Sequence, residues 1–561
     1  MTQRSELFGH PKGLYILFFT ELWERFSYYG MRAILVLYIV SSASGLNPGL
    51  GWSNADALWL YGWYTMLVYV ASIPGGYLAD KFWGQKKAVL IGGILLCAGH
   101  MVLAIEQTWA FYTGLSLIIL GVGGLKPNIS TMVGGLYPQG DIRRDKGFTI
   151  FYIGINVGAF LSSIIVGYVG ETIGWHYGFG LAGIGMILGQ AVFMWGQKYL
   201  VGVGDYIGSK ESGGAEVAKK PLTKIEKDRV IVLLISFLII IVFWGAFEQA
   251  GGLMNIYAKE KIDRFIGNWE VPASVFQSVN AFFIITLGTL VAGYWAIRKI
   301  KGKESSSIFK MAIGTIIMGL GFLFMAKASI DVSGADSGKA SMTFLILAYL
   351  FHTVGELCAS PVALSFITKL APVKYASIMM GVYFAATGFG NKLAGSIGEA
   401  SQIEPVKVEL TASGDQLSGL INNDALVNGD NFNLNGTIYL NGSDLILTND
   451  RGDDLSTYIS LSNENQARLS VMLKDEGASM NNQLHANIIM ERGDVAEGDE
   501  VSLDQYSGEV VIEEVANAQE LKTFLGITLI TVLFGFLLIL FLKKLKALTH
   551  GAEDEEGKAS A

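Results

Sequence analysis

Glu21-Leu22-Trp23-Glu24-Arg25-Phe26-Ser27-Tyr28-Tyr29-Gly30-Met31-Arg32 lies inside an apolar run over 14–40 that is long enough to span a bilayer. The stretch sets Glu21, Glu24, Arg25 and Arg32 into that run. Each would cost about 2.5–3.5 kcal/mol at mid-membrane depth, so together they would cost on the order of 10 kcal/mol if they faced lipid. At helical spacing, positions 21, 24, 25, 28 and 32 fall on one face. One helix therefore carries a stripe of carboxylates, guanidiniums and a tyrosine, which must face a bundle interior or a water-filled path. Snorkelling does not relieve it, because Glu21 to Arg25 lie roughly 10–17 Å from a helix start near Leu14. The plain alternative is a set of ion pairs that lock helices together.

The whole chain shares this apolar character. Of its 561 residues 51% are hydrophobic and only 16% charged, which is the composition of an integral membrane protein. The net charge of −8 is unevenly placed: residues 400–516 hold 21 acidic and 5 basic side chains, 5 − 21 = −16, leaving −8 + 16 = +8 for the remainder. Cys97 and Cys358 both sit in apolar runs and imply no disulfide framework. The first run is too long and too charged for a cleavable signal and is expected to stay in the mature protein. No GxSxG, HExxH or CxxC pattern occurs, which argues against an enzyme. No cofactor, metal or nucleic-acid partner is expected.

Apolar runs of spanning length recur at 14–40, 56–79, 87–105, 110–133, 148–170, 177–199, 230–256, 273–298, 308–328, 341–368, 376–398 and 520–545, twelve in all. Basic residues cluster after alternate runs: Lys81, Lys86 and Lys87; Arg143, Arg144 and Lys146; Arg298, Lys299, Lys301 and Lys303; Lys369 and Lys374; Lys543, Lys544 and Lys546. Segment 200–229 adds Lys210, Lys219, Lys220, Lys224, Lys227 and Arg229. The positive-inside rule then puts both termini in the cytoplasm. Segment 200–229 is rich in Gly, Ser and Lys and reads as a cytoplasmic linker dividing the runs six and six. These observations predict an all-α membrane protein with 12 transmembrane helices in two six-helix bundles. The first bundle covers 1–199; 230–399 supplies helices 7–11 of the second, and 517–561 its last helix and a cytoplasmic tail.

Residues 400–516 differ. They are acidic and rich in Asn, Asp, Ser and Gly, with short alternating runs at 406–410, 437–440, 445–448, 457–461, 467–473, 500–503 and 509–515. They predict a small all-β insert, a sandwich, on the periplasmic or extracellular side. An accessory module is the plain reading; capture of an external protein partner is the other.

Several motifs carry a resemblance. Residues 75–87, Gly75-Gly76-Tyr77-Leu78-Ala79-Asp80-Lys81 onward, resemble the loop 2–3 motif of the major facilitator superfamily. Glu21-x-x-Glu24-Arg25-Phe26-x-Tyr28-Tyr29-Gly30 resembles the ExxER motif of the proton-dependent oligopeptide transporter (POT/PTR) family. Phe151-Tyr152-Ile153-Gly154-Ile155-Asn156-Val157-Gly158 resembles that family's FYxxINxG signature. Phe243-Trp244-Gly245-Ala246-Phe247-Glu248-Gln249 and Gly355-Glu356-Leu357-Cys358-Ala359-Ser360-Pro361 resemble its helix 7 and helix 10 motifs. The resemblance implies proton-coupled import of di- and tripeptides by alternating access, with protons as the coupling ion. It assigns proton coupling to Glu21, Glu24, Arg25 and Glu248, with Arg32 pairing to Glu248 until protonation frees it for a peptide carboxylate. It assigns the peptide amine to Glu356 and the carboxylate to Lys126, and places Tyr28, Tyr29, Tyr69, Asn156, Trp244, Asn280 and Tyr383 around the peptide. The physical chemistry agrees. A carboxylate beside an arginine can alternate between paired and protonated states, and a forked guanidinium suits a peptide C-terminus. A buried lysine needs an anionic partner, here Glu356 or the substrate.

Four departures from the family pattern stand out. Tyr383 replaces a usual tryptophan, Gly62 stands where animal members carry a histidine, the bacterial pair of extra helices is missing, and the insert follows helix 11. His100, His176 and His352 have no metal-ligand spacing and read as packing residues. A nitrate or other small-anion transporter is the alternative within the superfamily, and an added receptor role the alternative outside it. The intact acidic face argues against an anion-only cavity.

Overall fold

The computed structural model describes residues 5–43, 45–138, 141, 143–206, 223–334, 338–371, 376–403, 406–413, 416–427, 430–441, 444–449, 466–474, 483–492 and 504–552. Much of the 200–229 linker, the runs at 457–461 and 500–503, Lys374 and the last residues of the tail lie outside them. The described chain divides into two compact units, one of residues 1–328, 339–399 and 525–561, the other of 329–338 and 400–524.

The larger unit is helical. Its first group comprises α1 (Lys12–Val40), α2 (Asn54–Val70), α3 (Ser72–Leu78), α4 (Gln85–Leu103), α5 (Thr108–Gly135), α6 (Arg144–Thr172) and α7 (Trp175–Gly196). Its second comprises α8 (Lys224–Phe247), α9 (Leu253–Glu260), α10 (Ser278–Ile300), α11 (Ser307–Gly334), α12 (Met342–Leu370), α13 (Ala376–Ala400), α14 (Glu513–Leu540) and α15 (Leu542–Leu548), with the ends of α11 and α14 belonging to the other unit. Helix starts follow local chemistry: Ser53 caps α2, Ser341 caps α12, and Thr223 with Glu226 forms a capping box on α8.

Among the described residues, nine helices are long and apolar enough to cross a membrane. Three of the predicted runs are not among them, for compositional reasons. Helix α1 carries its four mid-helix charges. The run at 56–79 is broken at Ala71 into α2 of 17 residues and α3 of 7, with Pro74 in the first turn of α3, where a missing N–H does no harm. Helix α13 is continuous, but Asn391 and Lys392 break its apolar run.

The run at 230–256 is also broken. Helix α8 stops at Phe247, a 3₁₀ turn covers Glu248–Ala250, and Gly251-Gly252 precede α9. The glycines interrupt the helix next to Glu248. Elsewhere small residues set helix spacing. A Cβ on Gly99 would lie 2.9 Å from the Gly114 carbonyl, and one on Gly92 would lie 2.6 Å from that of Gly121, so α4 and α5 meet backbone to backbone.

Gly62 has a steric reason of the same kind. A Cβ there would lie 2.9 Å from Cα of Gly395 on α13, so no side chain fits without parting the helices. Gly62→His is therefore expected to destabilise the detergent-solubilised protein by about 1–3 kcal/mol through overpacking. Thermal unfolding checks this, and an unchanged Tm would refute the steric account.

In the smaller unit, seven strands form one antiparallel sheet. The strand order is Asp444–Asn449, Asp430–Asn441, Gln416–Val427, Val406–Ser413, Asp504–Ile512, Gln483–Arg492, Gln466–Lys474. The described strands thus make a single sheet where a sandwich was expected. Alternation marks the two faces of a strand and does not say whether a second sheet covers one of them.

Candidate functional site

Helix α1 organises the site, and its charged stripe is buried: Glu21, Glu24, Arg25 and Arg32 are each at most 9% exposed. Arg25 Nε donates to Glu21 Oε1 at 2.9 Å and stands 2.6 Å from Glu24 Oε2, too obliquely for a second hydrogen bond. Glu21 Oε2, Glu24 Oε1 and Arg25 Nη2 find no hydrogen-bond partner. The cluster thus holds two carboxylates against one guanidinium with acceptor capacity to spare, and a proton added to either carboxylate has somewhere to sit.

About two turns further along, Arg32 leaves α1 for the break after α8. Its Nη1 donates to Glu248 Oε2 at 2.9 Å and Oε1 at 3.2 Å. The Tyr61 hydroxyl donates to Glu248 Oε2 at 3.5 Å, and the guanidinium stands 5.0 Å from the Tyr29 ring centroid. Arg32 Nε is unpartnered. The pair bridges the first and second helix groups, 216 residues apart in sequence.

Lys126 lies on α5 just before Pro127, and its ammonium stands over the Tyr69 ring at 3.6 Å. No carboxylate lies within ion-pair distance of it among the described residues, and the direct Lys126–Glu356 pair is not formed. Glu356 on α12 is instead held by Asn280 of α10, whose Nδ2 donates to Glu356 Oε2 at 2.9 Å and to Thr353 Oγ1 at 3.0 Å. Trp244 and Tyr383 line one small cavity together with Phe243, Met311 and Ser360. Tyr28 is buried with an unpartnered hydroxyl. Asn156 Nδ2 donates to the Tyr152 carbonyl of its own helix at 2.9 Å, which leaves its side-chain oxygen for another partner.

Sequence reasoning missed three participants. Tyr61 and Thr353 sit in apolar helices as apparent packing residues and show their roles only through Glu248 and Asn280. Glu171 is the third. At the end of α6, its Oε2 accepts from Ala273 N at 3.0 Å and its Oε1 from Ser274 N at 2.8 Å and from Ser274 Oγ. These donors open the 3₁₀ turn Ala273–Gln277 that runs into α10. Near it, Asn255 Nδ2 donates to the Ala33 carbonyl at 2.8 Å and Lys259 Nζ to Ser41 Oγ at 2.7 Å. All three contacts tie the first helix group to the second at the end where α1 and α6 finish. His100 and His352 are buried, His352 against the rings of Phe322 and Tyr349, and no group of three metal-ligating side chains occurs among the described residues.

Comparisons with known proteins give the family of the chain. The family described as PTR2, the POT family, matches residues 86–204 and 207–410. The chain belongs to the POT family. It is 34% identical over 451 residues to the peptide transporter YePEPT of Yersinia enterocolitica subsp. palearctica, covering 70% of this chain and 88% of that one. It is 34% identical over 437 residues to a di-/tripeptide transporter of Lactococcus lactis subsp. cremoris, covering 68% and 87%. Among solved structures, the peptide transporter POT in complex with sulfate superposes with a TM-score of 0.65 at 35% identity, covering 71% of this chain and 90% of that one. As a POT-family member the chain is a multi-pass membrane transporter, with the helical fold of that family, and not an enzyme.

Proposed function

We propose that this chain imports di- and tripeptides across the cytoplasmic (inner) membrane by proton-coupled alternating access. The observation that carries the reading is the bipolar pair of groups left for a substrate. Lys126 in the first helix group has no carboxylate within ion-pair distance among the described residues, and Glu356 in the second is held by a neutral donor. A short zwitterion presents a carboxylate to one and an amine to the other, drawing the groups together in one state more than in the other. The di-/tripeptide transporters among its relatives support the same substrate class.

In this mechanism the Glu21–Glu24–Arg25 cluster takes up the proton, and the two carboxylates titrate as a set. Protonation of Glu248 removes the anion that holds Arg32, freeing a guanidinium for the peptide carboxylate. Tyr28, Tyr29, Tyr69, Asn156, Asn280, Trp244 and Tyr383 surround the peptide. The nine apolar helices, with α1, α2–α3 and α13, make twelve spans in two groups of six. Charge placement supports cytoplasmic termini, and the 400–516 insert is an extracytoplasmic accessory module open to an external protein partner. On that orientation the Glu171, Asn255 and Lys259 contacts close the extracytoplasmic end.

Liposomes with an imposed pH gradient test this. The intact chain is expected to accumulate labelled dialanine and not to take up nitrate. Glu21→Gln is expected to lose accumulation above equilibrium, and deletion of 400–516 to keep it. Absence of acid-driven uptake by the intact chain would overturn the reading. Unchanged driven uptake by Glu21→Gln would remove the coupling assignment.

A further inference from the structure

An apolar cleft of about 510 Å³ opens between α10, α11 and α12, away from the Arg32 and Lys126 sites. Leu287, Leu290, Val291, Phe309, Ile313 and Ile317 form much of its wall, and Trp295 closes its floor by donating to Cys358 Sγ at 3.4 Å. From Leu287 to Arg298 the helix rises about 16 Å, close to half the thickness of a hydrocarbon core. That is the depth reached by one acyl chain from its own leaflet.

One charged residue lines this cleft. Arg298 is half-buried at its end, stands 5.3 Å from the Phe309 ring centroid, and donates through Nε to the Glu304 carbonyl at 2.6 Å. Its two terminal amino groups have no protein acceptor among the described residues. The Glu304 carboxylate is engaged elsewhere, accepting from Lys546 Nζ at 2.9 Å and from Ser306 N at 2.9 Å. Burial acts against the charge on Glu304, but the hydrogen bonds from Ser306 and Lys546 prevail and hold its pKa down at about 2. It therefore stays ionised at neutral pH and bound to Lys546. Lys299, Lys301 and Lys303 follow Arg298 and are exposed. An apolar slot of one-leaflet depth thus ends on a guanidinium with two donors to spare, inside a basic patch.

We propose that this cleft is a binding site for an anionic phospholipid, with one acyl chain along α10 and the phosphate on the terminal amino groups of Arg298. The site rests on the membrane-spanning character of the chain and is independent of what the transporter carries. Guanidinium and phosphate match as bidentate partners. Basic pockets between helices at the cytoplasmic boundary are where anionic headgroups bind.

The test uses full-length protein in nanodiscs of mixed phosphatidylglycerol and phosphatidylcholine, with the lipids retained after extraction counted by native mass spectrometry. The intact protein is expected to retain phosphatidylglycerol over phosphatidylcholine by about fivefold or more relative to the bulk mixture. Arg298→Gln is expected to bring that ratio near one. Leu290→Trp, at a position 66% exposed and so tolerant of bulk, is expected to fill the cleft and release both lipids. A ratio near one for the intact protein, or an undiminished ratio in Arg298→Gln, overturns the proposal. Release of the lipid by millimolar inorganic phosphate would assign the site to a free anion and also overturn it. Should Arg298→Gln fail to fold, Leu290→Trp decides alone: retention equal to that of the intact protein overturns the proposal.

Discussion

Glu248→Gln is expected to reduce pH-driven dipeptide accumulation by about a hundredfold or more while leaving dipeptide exchange across the same liposomes in place. The reason lies in what the substitution leaves behind. Arg32 is 9% exposed and its counter-charge is Glu248, with Tyr61 bonded to the same carboxylate and Tyr29 offering only a ring face. Removing one partner of a buried pair costs about 3–5 kcal/mol because the other charge stays buried and uncompensated. Glutamine keeps one acceptor, which places the loss near the lower end. That loss falls on the state in which Arg32 meets Glu248, and not on the state in which it meets a peptide carboxylate. At about 1.4 kcal/mol per tenfold, the balance between the two states moves by a factor of about 10²–10³. The variant behaves as if Glu248 were permanently protonated, so peptide still binds but no longer waits for a proton.

A purely structural pair makes a different prediction, and a double variant separates the two. Replacing both partners of a buried pair by apolar residues of similar volume is often neutral or stabilising. Arg32→Met with Glu248→Leu is therefore expected to match the intact protein in thermal unfolding and to transport nothing. Driven accumulation by either variant at the level of the intact protein would show that the pair only locks helices.

The Arg32–Glu248 contact is legible in the sequence, because a mid-membrane guanidinium is too costly to leave alone and the motif resemblance names its partner. The same physics made the runs legible: a spanning length of apolar residues has few other uses. Where reading fell short, the missing quantity was three-dimensional. Lys126 and Glu356 are complementary charges in sequence, but side-chain amide and hydroxyl partners on α10 and α12 hold Glu356, and an aromatic face holds Lys126. Asn156 also donates to the Tyr152 carbonyl of its own helix, a contact that its place in the motif does not reveal. Gly62 looked like the bare absence of a proton carrier; its reason is the Gly395 backbone opposite. The break beside Glu248 was present in Gly251-Gly252, but apolar flanks hid it within a continuous run.

Glu171 was the least legible of all, because its partners are backbone N–H groups and carry no side-chain signature. Its substitution by glutamine is expected to shift the transporter toward a state open at the end where α1 and α6 finish. The carboxylate accepts from two successive backbone amides, at 3.0 and 2.8 Å, and from the Ser274 hydroxyl. It does so at the start of the turn leading into α10, where the positive end of the helix dipole adds to the attraction. Hydrogen bonds to a charged group are worth about 1.5–3 kcal/mol each against about 1 for neutral ones. Glutamine keeps a single acceptor oxygen and loses the charge, so about 2–3 kcal/mol leaves the closed state, a population shift of about 30- to 150-fold. Spin labels on Ile173 and Ile266, which are 60% and 59% exposed, report the opening in a background with Cys97 and Cys358 replaced by alanine. Glu171→Gln is expected to add a longer distance to their distribution, and Glu171→Asp, which retains the charge, to add less of it. Asn255 and Lys259 fasten the same end, so combining Glu171→Gln with Asn255→Ala is expected to lengthen the distribution further. A distribution unchanged in Glu171→Gln would mean that those two contacts suffice to hold the end closed and that Glu171 takes no part in the gate.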